Sequence, residues 1–150
     1  MDILERIKQD HDQVKGLLEK MLQTTPRAAK SRQELSDKLI ALMMPHNKSE
    51  EKVFYPRLLE VKSAHEHALE ALEEHHVAEF LLKEIGRMRP EDERWKAKIS
   101  VFKETIEHHI EEEEGEIFSQ ARQAFGADQL ASMGESFLRA KERTPLRRAA

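Results

Sequence analysis

Two segments of the chain repeat one arrangement of residue types that bind metals. His46-Asn47-Lys48-Ser49-Glu50-Glu51 is followed by Phe54 and Tyr55, and His109-Ile110-Glu111-Glu112-Glu113-Glu114 by Ile117 and Phe118. Both read HxxxEE and then a hydrophobic pair. Positions four apart on a helix share a face, so each His and its Glu point the same way. In both copies that face is also the apolar one. An ionised carboxylate aimed into a core is costly unless a cation compensates it. His11 and His75 fall in the apolar stripes of two further segments. Four imidazoles and two carboxylates, Glu50 and Glu113, are roughly what two divalent ions need: terminal nitrogens on each, with carboxylate oxygens bridging between them. Imidazole and carboxylate without thiolate favour iron, with manganese or zinc compatible with the same donors.

Helices must carry these residues, and the spacing of apolar positions supplies them. The first is expected from Asp2, as N-cap, to Gln23, with the stripe Ile3/Leu4, Ile7, His11, Val14, Leu17/Leu18 and Met21. The second starts at Pro26 or at the capping box Ser31-Arg32-Gln33-Glu34. Its stripe runs Leu35, Leu39, Leu42/Met43, His46, Glu50 and Val53/Phe54, and Pro56 ends or kinks it. A capping box at Ser63-Ala64-His65-Glu66 opens the third, whose stripe is Ala68, Ala71/Leu72, His75, Ala78/Glu79, Leu82 and Ile85. After a break from Gly86 to Pro90, the fourth runs from about Glu91 to about Ala124 through Trp95, Ile99, Phe102, Ile106, His109, Glu113 and Ile117. Gly126 reads as its C-cap glycine. A shorter fifth helix spans about Asp128 to about Arg143. It would pack on the outside or mediate self-association. The expected architecture is all-α: an up-down-up-down four-helix bundle over about residues 2–124 with a short C-terminal helix, one domain across 1–150.

Composition agrees with this. Charged residues make up 36% of the 150, Gly and Pro number five each, and there is one Trp and one Tyr, a profile of helices rather than a sandwich or barrel. The absence of Cys excludes disulfides, thiolate zinc sites, iron–sulfur clusters and cysteine nucleophiles. No apolar run is long enough for a membrane span and the N-terminus lacks a signal-peptide pattern, so a cytoplasmic protein is expected. The net charge of −4 argues against nucleic acid, although Lys141, Arg143, Arg147 and Arg148 make the C-terminal end locally basic.

The set as a whole resembles the hemerythrin-like family, specifically the HHE cation-binding domain. The residues that carry the resemblance are Asp10-His11; His46…Glu50-Glu51…Phe54-Tyr55-Pro56; Glu74-His75…Leu81-Leu82; and His109-Ile110…Glu113-Glu114-Gly115-Glu116-Ile117-Phe118. The resemblance implies a non-haem di-iron centre that binds O2 or a related small ligand such as NO. It assigns His11 and His46 to one iron, with an open position, and His75 and His109 to the other. Glu50 and Glu113 would bridge together with an oxo or hydroxo group from solvent. The chain departs from the oxygen carriers of the family at Glu79, where they have a second His. It departs again in its His109-to-Glu113 step of four, where they use a step of five to Asp. Glu79 either ligates or is an outer or surface acid. Both departures move the expectation from O2 storage towards sensing or redox chemistry. A homodimer and a monomer both remain compatible.

Several residues compete for roles. Neighbours on a helix point about 100° apart, so one of His75/His76 and one of His108/His109 faces inward. His109 is in phase with Phe102, Ile106 and Glu113; His75 is favoured by its phase with Ala68, Leu72 and Leu82, but His76 is in phase with Leu69, Leu72 and Phe80, so that pair stays open. His65 and His67 read as surface residues. Glu51, Glu111, Glu112, Glu114 and Glu116 form an acidic, mostly solvated face, with Glu114 the stand-in for a register slip. Pro45 either kinks the helix to re-aim His46 or is a tolerated bend. Tyr55, the lone tyrosine, lies about two turns after His46, within reach of the centre but of marginal phase. A ferritin-like centre would want two ExxH repeats, and a zinc hydrolase HExxH; the chain offers one ExxH ending at His76 and no HExxH.

Overall fold

The computed structural model describes residues 1–144; Arg147 and Arg148 of the basic end lie outside them. The described residues form helices and no strand: α1 (Ile3–Leu22), α2 (Ala29–Ser49), α3 (Tyr55–Leu59), α4 (His65–Arg87), α5 (Trp95–Glu112), α6 (Phe118–Ala124) and α7 (Ala127–Arg143). None is long and apolar enough to cross a membrane. A π-helical turn at Glu50–Phe54 joins α2 to α3, and a second at Glu113–Ile117 joins α5 to α6. The chain therefore makes five rods. α1 packs on α2 and α5, and α4 packs on the same two, closing a ring of four. α7 packs outside it, against α1 and α2.

Local chemistry sets the ends of these rods, and not always as the sequence pattern suggests. Asp2 does cap α1, its carboxylate accepting from the Glu5 N–H at 2.9 Å. Neither expected capping box forms. α2 begins at Ala29 after an Ala28 cap, and α4 at His65 after Ala64. Arg32 is instead buried, stacked over Trp95 at 4.3 Å and donating to the Pro90 carbonyl and to Thr24. One guanidinium thus ties the α1–α2 and α4–α5 connections together, which a cap signal cannot reveal. Ser63 turns its carbonyl to Gln120. Gly126 begins α7 rather than ending the preceding rod, with an ordinary negative φ of −72°.

The core is split in two. One apolar cluster contains Ile7, Phe54, Tyr55, Ala71 and Ile117; the other contains Val14, Met43, Ala78, Ile106 and Ile110. Each rod of the ring passes from one cluster to the other, and at the crossing it carries its histidine: His11 between Ile7 and Val14, His46 beyond Met43, His75 between Ala71 and Ala78, His109 beyond Ile106. A large apolar side chain contributes roughly 1.5–3 kcal/mol when fully buried. The two clusters supply the stability against which a buried layer of imidazoles and carboxylates can be held.

Candidate metal centre

His11, His46, His75 and His109 are 1–3% exposed, and Glu50 and Glu113 are fully buried. The alternatives face solvent: His76 and His108 side chains are 69% and 65% exposed. The Nε2 atoms of the four buried rings turn inward. His46 Nε2 lies 2.7 Å from Glu50 Oε1 and His75 Nε2 3.5 Å from the same oxygen. Glu113 Oε1 lies 3.0 Å from His11 Nε2, and its Oε2 lies 3.5 Å from His109 Nε2. These are close approaches without hydrogen-bond geometry. The Nε2 atoms of His11, His75 and His109, both oxygens of Glu50 and Oε1 of Glu113 are buried with no hydrogen-bond partner. A buried donor set left open in this way fits a cation, since protein atoms alone leave each group with its full desolvation cost.

Two groups of converging atoms result. Glu50, His75, His109 and Glu113 form one, and His11, His46 and Glu113 the other, with atoms of each group within 4.8 Å of one another. Glu79 belongs to neither. It pairs with Lys48 at 3.0 Å, on the outer side of the layer.

Each buried imidazole donates its Nδ1–H outward to a different carboxylate. His46 donates to Asp10 at 2.8 Å, His75 to Glu51 at 2.9 Å, His109 to Glu74 at 2.8 Å and His11 to Glu114 at 2.7 Å. Every one of these bonds joins two rods. Asp10 of α1 holds a ring on α2; Glu51, just beyond α2, holds one on α4; Glu74 of α4 holds one on α5; and Glu114, just beyond α5, holds one on α1. The four bonds close a circle around the layer. In the neutral ring they fix the tautomer and leave Nε2 as the inward lone pair, the arrangement metal-ligating histidines use. Glu51 and Glu114 are therefore not the solvated acids their surface phase suggests. The signal was in the sequence: each outer acid adjoins an inward residue, in Asp10-His11, Glu50-Glu51, Glu74-His75 and Glu113-Glu114.

The π turns account for Tyr55, whose phase along the sequence is marginal. In a regular α-helix five residues turn about 500°, which puts Tyr55 some 140° away from Glu50. Closing the Tyr55 N–H onto the Glu50 carbonyl, five residues back, brings it round. Tyr55 is fully buried, donates its hydroxyl to Glu113 Oε2, and meets the His75 ring edge-on at 5.4 Å. The Phe118 N–H closes onto Glu113 in the same way. A widened turn starting at each inward Glu is why both copies of the motif end in two adjacent buried side chains. Pro45 lies inside α2, which continues through it to Ser49. Its reading as a tolerated bend suffices for the geometry.

Electrostatics follow from this packing. Burial pulls the imidazoles down, but the carboxylates outweigh it. His46, against Glu50 and Asp10, is pushed up to about 9. His75, against Glu50 and Glu51, is also pushed up to about 9. His109 is raised well above its ordinary value by Glu113 and Glu74. Burial raises Glu113, yet its neighbours Glu50, His109 and His11 hold it well below the usual carboxylate range. Burial and the adjacent Glu113 carboxylate both raise the Tyr55 hydroxyl far above that of a free phenol, so it stays a donor.

Comparison with known proteins gives a fold and a family. The fold matches the crystal structure of a hemerythrin HHE cation binding domain-containing protein from Mycobacterium kansasii with a TM-score of 0.82 and 23% identity, over 95% of this chain and 86% of that one. No curated protein matches. The family model for the hemerythrin HHE cation binding domain matches residues 2–121, which contain all four buried histidines and both buried glutamates, and the chain belongs to that family.

Proposed function

We propose that this chain holds two non-haem iron ions within a single-domain, up-down-up-down four-helix bundle, with α7 as an accessory helix. The centre would bind O2 or a related small ligand, NO or peroxide, for sensing, storage or iron and redox homeostasis. The reach of the two inner carboxylates carries this reading. Glu113 presents one oxygen to His11 and the other to His109, while Glu50 faces both His46 and His75. Each therefore spans the two halves of the layer, as a bridging ligand must. His11 and His46 would hold one ion, His75 and His109 the other. Nitrogen and oxygen donors without thiolate suit iron, and they also accept manganese or zinc. When bound, the ions would supply the redox-active, ligand-binding positions. The chain's own residues keep the rings in one tautomer, exclude water with two apolar clusters, and place one proton donor, Tyr55, on Glu113.

That donor favours a second reading, a centre that turns over O2, peroxide or NO. A buried hydroxyl that keeps its proton beside the site can hold a hydrogen bond on charge that develops during turnover. Visible spectra of anaerobically Fe(II)-loaded protein, taken before O2, after O2 and after its removal, separate the two. A charge-transfer band that appears and then disappears supports reversible binding. A band that persists as oxidised iron supports turnover or a single-use sensor. Protein that retains no iron and shows no band would sink both.

A further inference from the structure

On its outer face α4 carries a second seam, unrelated to the centre. Glu66, Leu69, Glu73, His76, Phe80 and Lys83 are all exposed, and they follow one another at steps of three and four. That is the spacing with which one helix packs along another in a coiled coil. Phe80 is 62% exposed and Leu69 46%, and Val77 beside them is 51% exposed, so three of the five large apolar side chains left exposed among the described residues lie on this one face. The charges along the seam are ordered, acids towards the N-terminal end and bases towards the C-terminal end.

We infer that this face is an isologous interface on which a second copy of the chain packs antiparallel. The committed register sets Glu66 opposite the second copy's Lys83, Leu69 opposite its Phe80, and Glu73 opposite its His76. A two-fold axis between Glu73 and His76 repeats each contact, as a C2 interface requires. In that orientation every acid faces a base and every apolar residue an apolar one. A parallel, in-register pair would set Glu66, Glu73 and Lys83 each against its own kind, so the charge order selects the antiparallel dimer. Neither Glu66 nor Lys83 forms an ion pair within the chain among the described residues, and the Glu73–His76 contact is long at 3.5 Å. The seam's charges are thus available to a partner. One helix pair buries less than a standard interface of roughly 1,600 Å², so the dimer is weak and concentration-dependent.

Sedimentation velocity on the metal-loaded full chain, over roughly a hundredfold range of concentration, tests this. The expected result is a monomer–dimer transition within the range. Phe80→Glu should move its midpoint up by about tenfold or more, with helicity and metal content unchanged. Glu66→Lys alone and Lys83→Glu alone should each weaken the dimer several-fold at low salt. The double variant Glu66→Lys/Lys83→Glu restores opposite charges across the axis and should recover the parent midpoint to within about twofold. A chain that stays monomeric throughout, or a dimer indifferent to Phe80→Glu, overturns the interface. A double variant no better than the singles overturns the antiparallel register.

Discussion

The two halves of the buried layer use the same residue types and differ in how many atoms converge and in what covers them. Around His75 and His109 four side chains come together, with both inner glutamates among them; around His11 and His46 only three do. The first half is faced by the edge of a tyrosine whose hydroxyl reaches Glu113, the second by the edge of Phe137 from α7, 5.8 Å from the His46 ring. Asp10, one of the two outer acids of the second half, is gripped in turn by Lys141 of α7 at 2.8 Å. One half is thus completed from within the ring of four helices. The other gathers fewer converging side chains and is closed from outside by an accessory helix. Repetition of a motif fixes the donors but not their surroundings, and on the proposed reading the surroundings are what would separate a saturated position from one with room for an exogenous ligand.

The strongest way to break this comparison is to remove what the halves share. Glu113 serves both groups, so on the proposed di-iron reading Glu113→Ala should cost most of the iron at both positions. His109→Ala and His46→Ala should each lower iron content by less, while His65→Ala should leave it at the parent level. His65 is exposed and donates only to the Leu59 carbonyl. Iron quantified per chain after desalting is the readout. Full occupancy in all of the first three variants would rule out the site assignment.

The next effect discriminates between the halves. His75→Ala removes one of four convergent side chains and His11→Ala one of three. On the proposed reading, His11→Ala should leave close to one tightly held ion, whereas His75→Ala should loosen the better-provided position. Stepwise Co(II) titration followed by visible absorption should show the tighter step kept in the first variant and lost in the second. Equal losses would mean that the halves act as one unit.

Proton linkage comes third. Without metal, His46 and His75 titrate near 9 against an ordinary value of 6.5. The folded state then binds more protons than the unfolded state between those values. The stability these groups add is full below about 6.5 and is lost as pH rises towards 9. A metal must expel the same protons, so its affinity rises with pH over that window. Metal-free protein should therefore melt lower at pH 9 than at pH 6.5, and metal-loaded protein should keep its Tm across the range. At the acid end Glu113, Asp10 and Glu74 are held below their ordinary values, so the stability they add disappears as pH falls below about 4. Parallel melting curves with and without metal would show the linkage to be absent.

How much of this was legible in the sequence depends on period. The inward residues as far as the start of each π turn obey the 3.6-residue repeat, so His11, His46, Glu50, His109 and Glu113 could be read from phase, whereas His75 and His76 each match an apolar set and phase alone does not choose between them. Tyr55 was legible only by its nearness to His46 along the chain, because a π turn intervenes and the phase counted through it is wrong. The outer acids escaped for another reason. Glu51 and Glu114 sit at the edge of the polar face, where sequence cannot distinguish a solvated acid from one that reaches across to the next rod. Arg32 is buried under a tryptophan against the usual preference of its type. The contact of α7 with α1 and α2 leaves no periodic mark on either of them.

That contact offers the finest test. Gly134 of α7 lies so close to the start of α1 that a Cβ there would stand 2.7 Å from the Met1 carbonyl oxygen, 2.8 Å from the Asp2 carbonyl carbon and 2.9 Å from the Ile3 nitrogen. All three are backbone atoms, which cannot swing aside as a side chain would. Gly134→Ala must push α7 away, at a cost of about 1–3 kcal/mol by the usual penalty for overpacking. Displacement draws Phe137 from His46 and Lys141 from Asp10, and both belong to the half with fewer converging side chains. The expected outcome is a modest fall in Tm together with weaker binding at the second metal step, the first step being unchanged. Were both steps to weaken equally, α7 would be a stabiliser of the whole layer and the asymmetry would lie in the four rods alone. Were Tm to fall with neither step altered, the accessory helix would be mechanically separate from the centre it covers.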